Sequence, residues 1–228
     1  MKKKALAIFI ITLLVTLTSC TKNTDSITFK KDYESLNGTV NSNGKEYRTV
    51  NIPKNNPIII STAKEIITKI ENEETFYVYF GSSLCPWCRS VIEKALEIAN
   101  DNEIDKIFYV DIWDENGNEI LRNKYTTDEF GNKEIVKKGT EEYNKLLEYF
   151  DEVLSEYTYT INDEKKSYGE KRIYAPTFIY VSKGKAKRKT TGISDKQTDS
   201  RSELTKEILS DEQQLFEDFF INVCDETC

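Results

Sequence analysis

Apolar and polar positions follow two different periods on either side of residue 84. Thr75 to Phe80 reads TFYVYF, an aromatic, β-branched and uncharged run that predicts a strand. Gly81-Ser82-Ser83-Leu84 breaks it. From Cys88 the apolar positions recur as Val91, Ile92, Ala95, Leu96 and Ala99, one stripe of an amphipathic helix. Arg89, Glu93, Lys94, Glu97 and Asn100 fall on the other side. Pro86 suits the first helical position, where its missing N–H is not needed. Cys85 then falls at the N-cap.

The same reading extends along the chain. Residues 21–27 read as a solvated tether and Lys30 to Leu36 as a short helix. Tyr47 to Ile52 and Pro57 to Ile60 read as strands, the first at an edge. Thr62-x-x-Glu65 is a capping box that opens a helix through Ile70. Ile107 to Ile112 (IFYVDI) predicts a second buried-type strand. Residues 114–139 are polar, with turn signals at Asn116-Gly117 and Gly131-Asn132, and read as an insertion. A helix begins at Thr140, with Tyr143, Leu146, Leu147, Phe150, Val153 and Leu154 as its apolar positions. The charged stretches Asp101–Lys106 and Asn162–Arg172 read as solvated loops. Thr177–Val181 and Ala186–Thr191 predict a hairpin around Lys183-Gly184. Ser202–Leu209 and Asp211–Val223 read as two helices, with Ser210 capping the second.

The N-terminus changes the picture of where the chain works. Lys2, Lys3 and Lys4 precede an uncharged, mostly apolar stretch from Ala5 to Thr18, too short for a comfortable membrane span. It ends in Leu17-Thr18-Ser19-Cys20, which resembles a bacterial lipobox. The organisation expected is a signal peptide over 1–19, then lipidated Cys20 with a tether and N-terminal extension to residue 56, then one domain over 57–228. Diacylation of one residue gives stable anchoring, so the mature chain is expected on the extracytoplasmic face of the membrane. Disulfides persist there.

Composition narrows the chemistry. The chain has five cysteines and no histidine, which removes His-dependent zinc sites, Ser-His and Cys-His triads and His proton shuttles. Its formal charge is −7, and loss of Lys2, Lys3 and Lys4 with the signal takes it to −10. An acidic chain of this kind is a poor candidate for nucleic-acid binding. With Cys20 lipidated, Cys85/Cys88 and Cys224/Cys228 remain as two pairs.

A cysteine at a helix N-cap faces free N–H groups and the positive end of the helix dipole, which favour its thiolate. Cys88, one turn inside, is placed to attack a mixed disulfide on Cys85. A structural bridge across so small a loop gains little. A four-thiolate zinc site with Cys224 and Cys228 is the other reading.

The order β-α-β-(Cys-Pro-Trp-Cys)-α-β-insertion-α-β-β-α, with Tyr174-Ala175-Pro176-Thr177 entering a strand, resembles the thioredoxin superfamily from about Pro57 to Val223. In style the chain is closest to the membrane-anchored, extracytoplasmic thioredoxin-like lipoproteins of Gram-positive bacteria. The resemblance implies an α/β fold with a central mixed sheet and flanking helices. It also implies a cis bond at Ala175–Pro176, packed against the cysteines, and a thiol–disulfide oxidoreductase. Cys85 is then the nucleophile and Cys88 the resolving thiol, with no bound cofactor. The Ala175 backbone is offered to an extended client segment. Partners would be thiol- or disulfide-bearing extracytoplasmic proteins and a membrane redox partner. The rival is a non-catalytic binding or assembly lipoprotein, with or without zinc.

Several residues keep two readings. Trp87, expected to be exposed, either packs partially or offers an apolar contact to clients. Arg89 either lowers a neighbouring thiol pKa or is a solvated helix residue. Lys171 and Arg172 precede the proline loop and are placed to steer acidic clients. Cys224/Cys228 either clips the C-terminus or is a second redox pair. One departure from the family is explicit. The buried acid expected six residues before the first cysteine is Tyr79 here, and a neutral tyrosine is a poor base. This departure and Pro86 directly after Cys85 favour an oxidising or isomerising role.

Overall fold

The computed structural model describes residues 24–221, except 129, 131 and 162. The expected signal peptide, Cys20, Cys224 and Cys228 lie outside the described residues. The chain is helical over residues 24–34 (α1) and extended to Ile58–Ile60 (β1). Then come α2 (Ala63–Glu71), β2 (Phe76–Gly81), α3 (Pro86–Asp101) and β3 (Ile107–Asp111). Hairpin β4 (Lys124–Thr127) and β5 (Lys133–Lys137) precedes α4 (Glu141–Tyr149), and hairpin β6 (Ser155–Ile161) and β7 (Glu164–Arg172) follows it. The described chain ends with β8 (Thr177–Ser182), β9 (Lys185–Thr190) and α5 (Lys206–Ile221). Among the described residues no helix is long and apolar enough to cross a membrane.

The core is a five-stranded mixed sheet in the order β1-β3-β2-β8-β9. β3 pairs in parallel with β1 and β2, while β8 is antiparallel to both β2 and β9. Strand alternation sends successive side chains to opposite faces. Tyr77, Tyr79, Phe178 and Tyr180 pack on one side with α3 and α5. Phe76, Val78, Phe80, Ile179 and Val181 pack on the other with α2 and α4. The apolar stripe of α3 is buried as its period predicts, and the Thr62–Glu65 capping box is formed.

The first helix starts earlier than expected: residues 24–27, read as tether, are helical, and Ser26 is buried. It ends at 34, before Leu36. Residues 47–52 form no strand. Val50 N–H donates to Asn37 Oδ1 (3.0 Å) and Ile52 N–H to Glu34 Oε1 (2.8 Å), so side chains of the extension satisfy this backbone in place of a ladder. The segment is nevertheless core, with Val50 and Ile52 buried.

Helix α4 stops at Tyr149, with Phe150 at its C-cap, five residues short of Leu154. The Asn162–Arg172 stretch is mostly strand, held in hairpin β6–β7 by rings of Tyr157, Tyr159 and Tyr168, with centroids 4.5–4.6 Å apart. The two expected C-terminal helices are one: Thr205 Oγ1 caps it through Ile208 N–H, and Ser210 is an exposed interior position. The buried stripe of Ile208, Glu212, Phe216, Phe219 and Phe220 keeps helical period only because a carboxylate occupies one of its positions.

Candidate active site

Cys85 caps α3 with extended backbone angles, and Pro86 occupies the first turn. The Cys88 N–H donates to the Cys85 sulfur at 3.4 Å. Both cysteines are thiols in the structure. Cys85 is 4% exposed and Cys88 is fully buried beneath it. Opposite lies the loop before β8, where the Ala175–Pro176 bond is cis. The Cys85 S–H donates to the Ala175 carbonyl at 3.5 Å, so the proline loop and the helix end are brought together. Pro176 is buried and Ala175 half-buried.

The two thiols are driven apart. The Cys85 pKa is lowered, first by a hydrogen bond from the Cys88 thiol, then by the N–H groups of Cys88 and Trp87 and the charge of Arg122; burial works the other way. Cys88 is raised well above the ordinary range by burial, and further by its bond to Cys85 and that residue's charge. Tyr79 opposes this through a side-chain hydrogen bond to Cys88. A proton is therefore held on the inner sulfur while the outer one ionises.

Tyr79 is fully buried between Phe178 (centroids 4.3 Å apart) and Tyr109 (5.3 Å). Its hydroxyl lies 2.8 Å from that of Tyr33 on α1. Tyr109 donates to Asp111 Oδ2 at 2.8 Å. Burial raises the pKa of Asp111, which lines a cleft of about 350 Å³ beside Ser82–Leu84 together with Asp32, Asp114 and Glu115.

Arg89 follows neither of its sequence readings. It is 1% exposed, and its guanidinium donates to Arg48 O (2.8 Å), Tyr33 O (2.8 Å), Ser83 O (3.2 Å) and Asn37 Oδ1 (2.8 Å). These bonds go to the N-terminal extension and the 82–84 loop, and they pin the extension to the active-site helix. Trp87, expected to be exposed, is half-buried and packs against the core. Arg172 is not free to steer clients: it is buried, donates to Asn123 O (2.5 Å) and lies 3.8 Å from Glu119. Lys171 pairs with Asp151 at 3.1 Å. The charge that faces the 82–84 loop is acidic instead.

Two functional candidates escaped sequence reasoning. Tyr33 lies in a stretch whose only sequence signal was a short helical period. Arg122 lies in the polar insertion, yet it is buried, bonded to Glu119 (2.8 Å) and donates to the Ile173 carbonyl (3.3 Å), two residues before Ala175. Arg122 and Arg172 share the single carboxylate of Glu119, so the group retains positive charge near Cys85. Among the described residues no three His, Cys, Asp or Glu side chains converge where a metal ion would fit. Compared with known proteins, the chain matches no family model and no curated sequence.

Proposed function

We propose that the chain is a thiol–disulfide oxidoreductase with a thioredoxin-like fold, anchored by a lipidated Cys20 on the outer face of the cell membrane. The fold reading is supported by the sheet order β1-β3-β2-β8-β9, with the Cys-Pro-Trp-Cys helix leaving the central strand. The observation that carries the activity is the split pair: an ionisable Cys85 at the helix N-cap, 3.5 Å from Ala175 O, above a buried, protonated Cys88.

Cys85 is the nucleophile toward a client disulfide and the sulfur attacked when the enzyme's own disulfide is donated. Once Cys85 carries a client, its bond to the Ala175 carbonyl is released, and that carbonyl becomes free to accept from an extended client backbone. A low-pKa thiol leaves readily, which favours disulfide donation or isomerisation over reduction. The four carboxylates beside the 82–84 loop suit basic client segments better than acidic ones.

Oxidation of a reduced, unfolded disulfide protein by the oxidised chain tests the activity. Turnover that is lost in Cys85→Ala is expected. Specific binding of that protein with no thiol exchange would instead select the rival, a non-catalytic assembly lipoprotein. Mass spectrometry of the membrane fraction tests the anchor: an unmodified Cys20 removes it.

A further inference from the structure

The polar insertion reaches the candidate active site at two places. A Cβ added to Gly117 would stand 3.7 Å from the side chain of Leu84, the residue before Cys85. On the other side Arg122 Nη1 donates to the Ile173 carbonyl at 3.3 Å. Ile173 opens the stretch 173–176, which joins β7 to β8 and lies outside both strands. A buried carbonyl outside a ladder needs a donor from elsewhere, and Arg122 supplies it. Two residues on, the Ala175 carbonyl accepts the Cys85 S–H at 3.5 Å.

Arg122 is itself held in place. One edge of its guanidinium, Nε and Nη2, meets Glu119 Oε2 at 2.8 and 2.5 Å, and its backbone N–H donates to Glu119 Oε1 at 3.1 Å. The opposite edge carries Nη1 and faces Ile173. Only 7% of the Arg122 side chain and 8% of the Glu119 side chain are exposed. Tyr174 ties the same stretch to β6: its hydroxyl accepts from the Thr158 N–H at 3.2 Å and donates to the Glu156 carbonyl at 3.1 Å. The proline loop is thus gripped by hairpin β6–β7 through a side chain and by the insertion through its backbone.

We propose that Arg122 is a positioning residue for client binding: by holding the Ile173 carbonyl, it keeps the Ala175 carbonyl where an extended client backbone meets Cys85. This rests on the oxidoreductase reading. A guanidinium suits the task because its planar fork spans two acceptors in fixed geometry, whereas a lysine ammonium is a single point that serves one of them. The charge of Arg122 acts separately. It is the last of the influences that lower the Cys85 pKa, after the Cys88 thiol and the N–H groups of Cys88 and Trp87.

The test uses the full-length Cys88→Ala chain, in which reaction stops at the Cys85 mixed disulfide. Two probes release the same 2-nitro-5-thiobenzoate anion. One is the small symmetrical disulfide of that thiol, which has no peptide backbone. The other is an extended cysteine peptide carrying the group on its sulfur. In both, the Cys85 thiolate attacks, a bond from Cys85 to a probe sulfur forms, the probe's own S–S bond breaks, and the departing thiolate takes the electron pair. Release from a chain that also carries Cys85→Ala is subtracted, so that only Cys85 is read. Neither probe requires turnover, so a chain that oxidises no protein still decides the role of Arg122.

Arg122→Lys keeps the charge beside Glu119 but gives up the span to Ile173. It should slow the peptide probe about fivefold, as expected for one lost hydrogen bond, and leave the small probe unchanged. Arg122→Met should slow the peptide probe at least as much. It should also move the pH midpoint of the small-probe reaction upward, because the cation is gone. Where Arg122→Met fails to fold, Arg122→Lys alone decides. A peptide-to-small-probe rate ratio in Arg122→Lys equal to that of its Cys88→Ala parent would overturn the positioning role. So would a proportional fall in both rates, the mark of a merely structural change.

Discussion

The guanidinium of Arg89 donates to the carbonyl of Tyr33 at 2.8 Å, across the seam between the N-terminal extension and the active-site helix. Arg89 directly follows the inner cysteine, yet its charge is spent on the backbone of residues 33, 48 and 83. Arg89→Met keeps most of the volume and leaves one buried carbonyl, that of Tyr33, and two part-buried ones, those of Arg48 and Ser83, without their donor. A loss of about 3 kcal/mol is expected, since each unsatisfied buried group costs ~1–3 kcal/mol and part is recovered by water. Urea unfolding measures the loss. Limited proteolysis should show cleavage moving into residues 35–55. Unchanged resistance there would mean that the extension is held by its apolar contacts alone.

The acidity of Cys85 depends first on the thiol of Cys88. In Cys88→Ala that donor is gone, so the Cys85 pKa should rise. In Cys88→Ser a hydroxyl replaces it, and the pKa should stay lower than in Cys88→Ala. Alkylation rates of Cys85 across pH give both values. Both variants should also accumulate client mixed disulfides on non-reducing gels, because the resolving thiol is absent. Cys85→Ala should accumulate none.

Gly81 closes β2, two residues after Tyr79 on the same face. A Cβ built there would stand 2.2 Å from the Tyr79 hydroxyl and 2.3 Å from its ring. The ring is stacked between two aromatic neighbours and has no room to retreat. Gly81→Ala should therefore cost about 1–3 kcal/mol, the usual range for overpacking. Wild-type stability in this variant would show that the Tyr79 ring can move freely.

Glu212 is fully buried on α5, and neither of its oxygens has a hydrogen-bond partner among the described residues. Burial pushes its pKa up from 4.5 to about 7, with Arg48 and then Lys94 acting in the opposite direction. The folded state therefore keeps a proton that the unfolded state has lost. Stability should fall as pH rises from 4.5 to about 7, and the penalty should then stay constant above that value. Glu212→Gln removes this contribution. The variant should match the wild type near pH 4.5 and exceed it near pH 8, read from urea midpoints. An equal difference at both pH values would place the ionisation elsewhere.

The central sheet and both helices that flank the cysteines were legible because their signals are local. The Thr62–Glu65 box and the Cys85-Pro86 helix start form as read, and the TFYVYF strand forms one residue later, over Phe76–Gly81. Asn162–Arg172 was misread because it carries one ring, Tyr168, among its charges, and the rings that hold it, Tyr157 and Tyr159, lie on the preceding strand. Helix α5 was split because Ser210 looks like the N-cap of a second helix, whereas it is an interior position of one continuous helix. The partners of Arg89 and Tyr79 were invisible for a different reason. Apart from Ser83, they lie 41–56 residues away in the extension, and no local period encodes such contacts.

The break that composition suggests before Pro57 does not divide the protein into separable parts. Phe29, Tyr33, Val50 and Ile52 share one buried cluster with Cys85, Cys88 and the stripe of α3. A chain cut at residue 57 would keep Cys85, Cys88 and Pro176. It would nevertheless expose a guanidinium stripped of three of its four acceptors, and an apolar flank on the helix that carries the cysteines. Grafting the Cys-Pro-Trp-Cys segment onto a shorter relative would transplant the sulfurs without the packing that sets their reactivity. Here the unit of inheritance for the chemistry is longer than the unit of recognition.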